Sequence, residues 1–579
     1  MHAAERRATG SRGGAGKNGV LLRSGAMVGF ENMTIGRTMA AGVALLAVAG
    51  AARGQALRGA ARAAGWAPSE PAAGAAYAYE ALPEEGHARP ALARIPGGSF
   101  AMGNSYSNLY PNEGYAQELP VHEVPVSEFF IGRFEFTNEE LARTLQWALT
   151  NGLAELGPTV TTNVAGGVTN VATNLYGTVR NAEGTKRELV DLDDPLCQVA
   201  YTNGAFAVAA GKTNFPAICV TWHGAQALGN YLSDREGLAR AVDFAPEDWT
   251  VDLAAEGYRL PTEAEWEKAA RGGNPGTHFP WPDDSAQGTN LYLYSIDPAK
   301  ANYWDGRYAM SDSQLTNHPM HPWFAEAVRT TPAGYYDGGQ VITNFSTNVA
   351  YRGADFGATN DMANGYGLHD MAGNVYEWCG DYHGTGWYAQ AGATLPDPAG
   401  PAAAESFHTQ RVVRGGGWLI YSLLQPPDPS FQRCSFRTSF PAGWADTFLG
   451  FRVARRPTAY EAWALGEGLD PLGADGAAGE DYDDDGQVNG AERVAGTQPT
   501  NAESLFKVTG VGPVSNAAPV AHWGVSGRVY VVEGATNLPA AGDWQVLAEV
   551  TNAATGEAWI PVDAGPEFRA LRIRARMAP

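Results

Sequence analysis

Cysteine is scarce in this chain: Cys197, Cys219, Cys379 and Cys434 are the only four in 579 residues, and no two form a CxxC pair. A zinc ribbon or a thioredoxin-like redox centre therefore lacks its donor set. Long apolar runs are missing too. The run Met39–Gly50 falls well short of the ~20 residues a membrane-spanning helix needs, and no later stretch qualifies. Basic residues are outnumbered, 40 against 62 acidic, for a net charge of −22. Such a surface repels phosphate backbones, which argues against nucleic acid as a partner and favours divalent cations. There is no HExxH, no G-x-S-x-G and no Walker A lysine followed by Ser or Thr. The GxGxxG match at Gly14–Gly19 follows no strand and is accidental. His122, His223, His369 and His383 are scattered through aromatic motifs and read as hydrogen-bonded scaffold residues rather than catalytic bases.

What the chain has in quantity is glycine (71), proline (36), tryptophan (16) and tyrosine (24). That composition points to a loop-rich α+β fold with aromatic cores and excludes a coiled coil. The length exceeds the ~100–150 residues of a usual domain several times over, so more than one folded unit is expected. Residues 1–56 read as an upstream extension and a signal peptide starting at Met33, with Arg37 before the apolar run and small residues Ala49, Ala51 and Ala56 after it. The expected location is secreted, periplasmic or cell-surface, with nothing integral to the membrane after cleavage. Export makes the cysteines candidate disulfide partners, with three connectivities open. Spacing favours Cys197–Cys219 and Cys379–Cys434.

Residues 57–92, rich in Ala, Gly, Pro and Glu, read as a tether. A domain is expected over 93–456, a linker over 457–505 and a small antiparallel β-sandwich over 506–579. Within the domain, Thr159–Thr178 suggests a polar hairpin or loop. Helical spacing places one helix from Trp222 to about Leu232. A second begins after Thr262, where Glu265 three residues on completes a capping box.

Five segments in order carry a family resemblance. They are Arg94–Gly103, Glu128–Asn138, Tyr258–Gly273, Asn364–Trp378 and Arg411–Trp418, closed by Leu449–Ala454. Together they resemble the formylglycine-generating enzyme, or sulfatase-modifying factor, family. The resemblance implies an irregular fold of C-type lectin-like architecture. It also implies an oxygen- and copper-dependent oxidation of a sulfatase cysteine by two cysteines, the first placed closely after an Arg-Gly-Gly motif. Here the matching run, Arg414-Gly-Gly-Gly-Trp-Leu-Ile420, puts Ile420 at that position, and no cysteine lies between Gly380 and Arg433. Cuprous copper needs soft donors, so the same replacement argues against copper and against the thiol chemistry. By the resemblance, Cys434 matches a structural cysteine. Ala372, Gly373 and Val375 (through carbonyls) and Glu377 match a structural calcium loop, and Asn302 and Tyr303 a second calcium site.

An independent motif lies in the linker. Asp481, Asp483, Asp485, Asn489 and Glu492 stand at positions 1, 3, 5, 9 and 12 of an EF-hand-type loop, with Gly486 at 6 and the Gln487 carbonyl at 7. Calcium is the cofactor this predicts. The segment resembles the loops joining bacterial extracellular modules, as in dockerin-like and thrombospondin-type-3-like repeats. The expected function is an exported binding module that holds a peptide or glycan in an aromatic groove. The alternative is an enzyme of the same superfamily with a different oxidation or maturation reaction.

Overall fold

The structure, a computed structural model, describes residues 79–82, 89–105, 114–165, 168–281, 296, 300–303, 328–339, 361–402, 410–419 and 429–485. It also describes 487–495, 497–502, 508–511, 520–524, 528–535, 544–551, 556–560 and 570–577. All of these fall in one of two compact units, Gly54–Pro579. Ile420, Gly486 and the expected signal peptide lie outside the described residues.

The chain begins with β1 (Tyr79–Ala81), β2 (Leu92–Ile95), β3 (Gly98–Met102), β4 (His122–Val126) and β5 (Phe129–Gly132). Helix α1 (Asn138–Thr150) leads to β6 (Ala154–Ala165), β7 (Val168–Asn181), β8 (Glu188–Asp191), β9 (Val199–Thr202) and β10 (Ala205–Ala209). Next come α2 (Trp222–Glu236), the short pair β11 (Val242–Asp243) and β12 (Thr250–Val251), and α3 (Glu263–Ala270). The family-like segment closes with β13 (Tyr376–Tyr382), β14 (Gln410–Arg414), β15 (Thr438–Pro441), β16 (Leu449–Gly450) and β17 (Ala454–Arg455). Sheet β15-β14-β13-β16 is antiparallel except for the parallel β13–β16 pair, and β17-β5-β2 forms a second sheet. The polar hairpin of the sequence reading is β6–β7, extended by β8.

Aromatics do fill the core. Trp222 and Trp378 are fully buried and tie α2 to β13, because Trp222 Nε1 donates to the Cys379 carbonyl (2.9 Å) and Trp378 Nε1 to the Val220 carbonyl (3.1 Å). The Arg411 guanidinium lies between the rings of Trp222 and Tyr382, 3.7 and 3.4 Å from their centroids.

Two corrections concern chain organisation. The expected tether contains β1, which pairs with β10 from Tyr79↔Ala209 to Ala81↔Ala207. The expected linker opens with a helix, α4 (Ala459–Gly466), and later contains α5 (Asn489–Ala495). The signal for α4 was in the sequence. Arg259-Leu-Pro-Thr-Glu-Ala-Glu265 and Arg455-Arg-Pro-Thr-Ala-Tyr-Glu461 share the pattern R-x-P-T-x-x-E. In each copy the Thr and Glu cap the helix reciprocally, and the same Glu receives the arginine side chain through two nitrogens at 2.6–2.8 Å. The copies lie side by side, since Arg259 and Ala454 exchange both backbone hydrogen bonds. Beyond α5 the chain forms two three-stranded antiparallel sheets. One is β18-β19-β22 (Val508–Val511, Val520–Gly524, Gly556–Ile560) and the other β21-β20-β23 (Trp544–Thr551, Arg528–Ala535, Ala570–Met577).

Helix α3 is buried at every position, although three of its eight residues are glutamates. Each carboxylate meets a guanidinium: Glu263 with Arg437, Glu265 with Arg259, and Glu267 with Arg271 and Arg414. Burial alone would raise the glutamate pKa values, but the arginines outweigh it and hold Glu265 and Glu267 below the usual range. Asp381 is different. It accepts the Glu263 backbone N–H at 2.7 Å, yet burial, reinforced by the Glu263 carboxylate, pushes it up to about 8.

Two tests follow from this packing. Glu267→Gln should lower unfolding free energy by ~3–5 kcal/mol, because two buried arginines lose their counter-charge. Glu155→Gln, at the exposed Lys186 pair, should cost less than ~1 kcal/mol. Denaturant titration giving equal costs would show that burial does not set the scale. In the folded state Asp381 keeps its proton above the pH where the unfolded carboxyl loses it, so its contribution is complete below about pH 4 and is lost as pH rises through about 8. Asp381→Asn should flatten that decline, and an unchanged pH–stability slope would contradict it.

Candidate functional site

The motif residues 364–378 and 411–418 converge around Asn374, whose backbone takes a left-handed φ of 61°. Its Oδ1 accepts the Thr331 backbone N–H (2.9 Å) and Asn302 Nδ2 (3.2 Å), and its Nδ2 donates to Glu135 Oε2 (2.7 Å). Its backbone N–H donates to the Asn302 carbonyl and its carbonyl accepts from Trp418 N–H. Gly373 must be glycine: φ is 93°, and a Cβ would stand 2.4 Å from the Asn302 carbonyl oxygen.

This arrangement shows what Glu377, the carboxylate of the calcium loop expected from the resemblance, is bonded to within the protein. Glu377 is fully buried and already saturated, its two oxygens receiving Arg452 Nε and Nη2 at 2.6 Å each and Trp266 Nε1 at 2.7 Å. A calcium ion at this carboxylate would have to share it with the Arg452 guanidinium or displace that guanidinium. Ala372, Gly373 and Val375 stand beside it in a loop closed by protein hydrogen bonds, Gly373 N–H to the Gly415 carbonyl and Val375 N–H to Glu135. Asn302 donates to Asn374 and to the Arg329 carbonyl, and the Tyr303 hydroxyl donates to the Ile296 carbonyl at 3.3 Å.

The sequence reading missed Glu135 and Asp370. Burial, then the neighbouring Asp370 and Glu377 carboxylates, hold Glu135 well above its usual range, and burial first of all raises Asp370. Arg452 is the cation that faces this group. A glutamate between Phe134 and Phe136 was the available signal. His223 and His383 match the scaffold expectation, as burial lowers each to about 3 and keeps it neutral.

Trp418, Tyr376, Trp378 and Trp266 are 0–4% exposed, so these rings form core rather than a stacking surface for a ligand. All four cysteines are interior, at 0–1% exposure, and are unbridged thiols in the structure. Cys219 and Cys197 hydrogen-bond to each other, which together with burial raises the Cys219 thiol. Cys379 and Cys434 share a separate apolar cluster without the bridge expected between them, and burial pushes the Cys379 thiol well up. The copper chemistry of the resembled family needs accessible thiolates, and these residues do not fit it.

In the acidic loop, Asp481, Asp483 and Asp485 bring carboxylate oxygens within 4.8 Å of one another. Glu492, at 0% exposure on α5, lies close enough to interact electrostatically with all three. Asn489 does something other than expected. Its Oδ1 accepts the Tyr482 N–H, and its Nδ2 donates to the carbonyls of Asp475 (2.9 Å) and Ala477 (3.0 Å), so it fastens the loop to the preceding turn.

With this geometry in hand, the comparisons define the class. The family described as "sulfatase-modifying factor enzyme 1-like domain" matches residues 79–457, and the chain belongs to that family. It is 27% identical to a formylglycine-generating enzyme of Streptomyces coelicolor over 369 residues, 62% of this chain and 88% of that protein. It is 25% identical over 338 residues to a mouse (Mus musculus) protein named inactive C-alpha-formylglycine-generating enzyme 2, covering 58% of this chain and 76% of that one. Among solved structures, Treponema denticola variable protein 1 matches with 22% identity and a TM-score of 0.34, over 63% of this chain and 95% of that one.

If Glu377 serves Arg452 rather than a cation, Glu377→Gln should destabilise the domain by ~3–5 kcal/mol, equally in calcium and in chelator. Thermal or denaturant unfolding in both conditions checks this. A penalty confined to the calcium-loaded protein would restore Glu377 as a metal ligand.

Proposed function

We propose that the chain is an exported member of this family that has lost its thiol chemistry and serves as a binding module for a peptide or glycan. The observation that carries the proposal is the burial of every cysteine side chain, with Ile420 standing where the resembled family places its first catalytic cysteine. Naturally inactive relatives fit the same reading, since the mouse protein is named as one. The proposed architecture is a lectin-like core followed by a calcium-stapled junction and a C-terminal β-sandwich, as suits extracellular attachment. In an oxidising compartment Cys197 and Cys219, already in contact, are the pair placed to bridge.

The buried positions of the motif aromatics direct the search for a ligand to the loops rather than to those rings. The alternative, an enzyme with a different oxidation reaction, requires a redox metal. Stoichiometric iron or copper in the purified protein would favour it.

Coexpression with a type I sulfatase peptide should leave the peptide cysteine unconverted by mass spectrometry. The same peptide should be converted by an active formylglycine-generating enzyme run alongside. Any formylglycine in the presence of this chain would overturn the proposal.

A further inference from the structure

The linker cluster differs from an ordinary acidic surface in where its oxygens point. Asp481 Oδ1 accepts the Asp485 N–H (3.2 Å) and Asp485 Oδ1 the Gln487 N–H (2.7 Å), so backbone donors shape the loop around one oxygen of each residue. Five others are buried without a hydrogen bond of standard geometry, both oxygens of Asp483, Oδ2 of Asp485 and both of Glu492, with the N–H groups of Asp485 and Asn501 near Asp483 and the Thr497 side chain near Glu492. Glu492 is the second, independent observation. It comes from a helix rather than the loop, it has no solvent exposure, and its neighbours across the gap are Asp481, Asp483 and Asp485. Besides the Thr497 side chain no partner balances its charge, and a buried carboxylate facing three others is unfavourable unless a cation sits among them.

The surroundings say what such a cation would control. Helix α4 is fixed to the family domain by the Arg455–Glu461 pair and by the Ala459 N–H to Glu256 (2.8 Å). The Tyr460 hydroxyl donates to the Gly476 carbonyl at 2.8 Å, which holds the next turn, and Asn489 grips that turn from the other side. Asn489 N–H to the Glu480 carbonyl and Gly490 N–H to the Ala478 carbonyl complete the fastening. Helix α5, which carries Glu492, packs against β23 of the C-terminal sheets.

We propose that Asp481, Asp483, Asp485 and Glu492 bind one calcium-class divalent cation, and that this cation locks α5, and with it the C-terminal sheets, onto the family domain. The reading deepens the calcium-stapled junction of the proposed function and stands apart from its peptide or glycan ligand, because it rests on the linker and its contacts. An all-oxygen set with an acidic side chain able to bind through both oxygens suits calcium, whose coordination is large and flexible. Magnesium demands a tighter octahedron and keeps its water. Asn489 is a positioning residue here, not a ligand.

The test uses the full chain, stripped with chelator and titrated calorimetrically with calcium alone, with magnesium as comparison. One saturable calcium site is expected, with a dissociation constant of ~10⁻⁴–10⁻³ M, as in extracellular modules. Glu492→Gln and, separately, the partly exposed Asp483→Asn should each weaken it by about tenfold or more. Limited proteolysis should cut within 457–505 in chelator and not in calcium, with 93–456 resistant in both. Absence of saturable binding up to ~10 mM calcium, unchanged affinity in both variants, or identical digestion patterns would each overturn the proposal. Should Glu492→Gln fail to fold, Asp483→Asn decides.

Discussion

The structure depends on glutamates that bind arginines inside the protein. Helix α3 lies wholly in the interior, yet every second position from Glu263 to Glu267 carries a carboxylate. A helix like this cannot be driven inward by apolar burial alone. Its place is defined by where Arg259, Arg271, Arg414 and Arg437 deliver their guanidinium groups. Arg259 and Arg271 flank the helix itself, whereas Arg414 and Arg437 come from 147 and 174 positions further along the chain, so the helix gathers distant chain around itself. Buried pairs of this kind contribute less to stability than to uniqueness, since any other arrangement leaves charges unpaired.

The same device appears again at the domain edge. The R-x-P-T-x-x-E pattern of α3 recurs at α4, where a glutamate both caps the helix and binds the arginine six residues before it. What composition alone marks as a linker is thus a continuation of the domain's own construction. It carries rigidity outward from the core, through Tyr460 and Asn489, to the acidic loop.

Motif order and local capping were legible in the sequence. The five segments identify the family, and Thr262 with Glu265 marks the start of α3 correctly. What could not be read was the partner of each charged residue. Glu377 was expected as a metal ligand from the family resemblance. Only the fold shows that Arg452, 75 positions away along the chain, takes both oxygens. Asn489 matched a ligand position by offset, but the carbonyls of Asp475 and Ala477 claim its amide. The motif tryptophans suggested a binding groove because aromatic side chains serve both recognition and packing, and burial is decided by elements far apart in sequence. Offsets along one loop are local information, whereas pairing across the core is not.

The chain belongs to the family by sequence, and the proposal is that its sulfur chemistry has been lost. The most direct measurement is competition for cuprous ion between the reduced, folded protein and a chromophoric chelator. With four interior thiols and no accessible pair, the protein should leave the chelator's copper untouched until it is unfolded. Stoichiometric withdrawal of cuprous ion by the native protein would contradict the account.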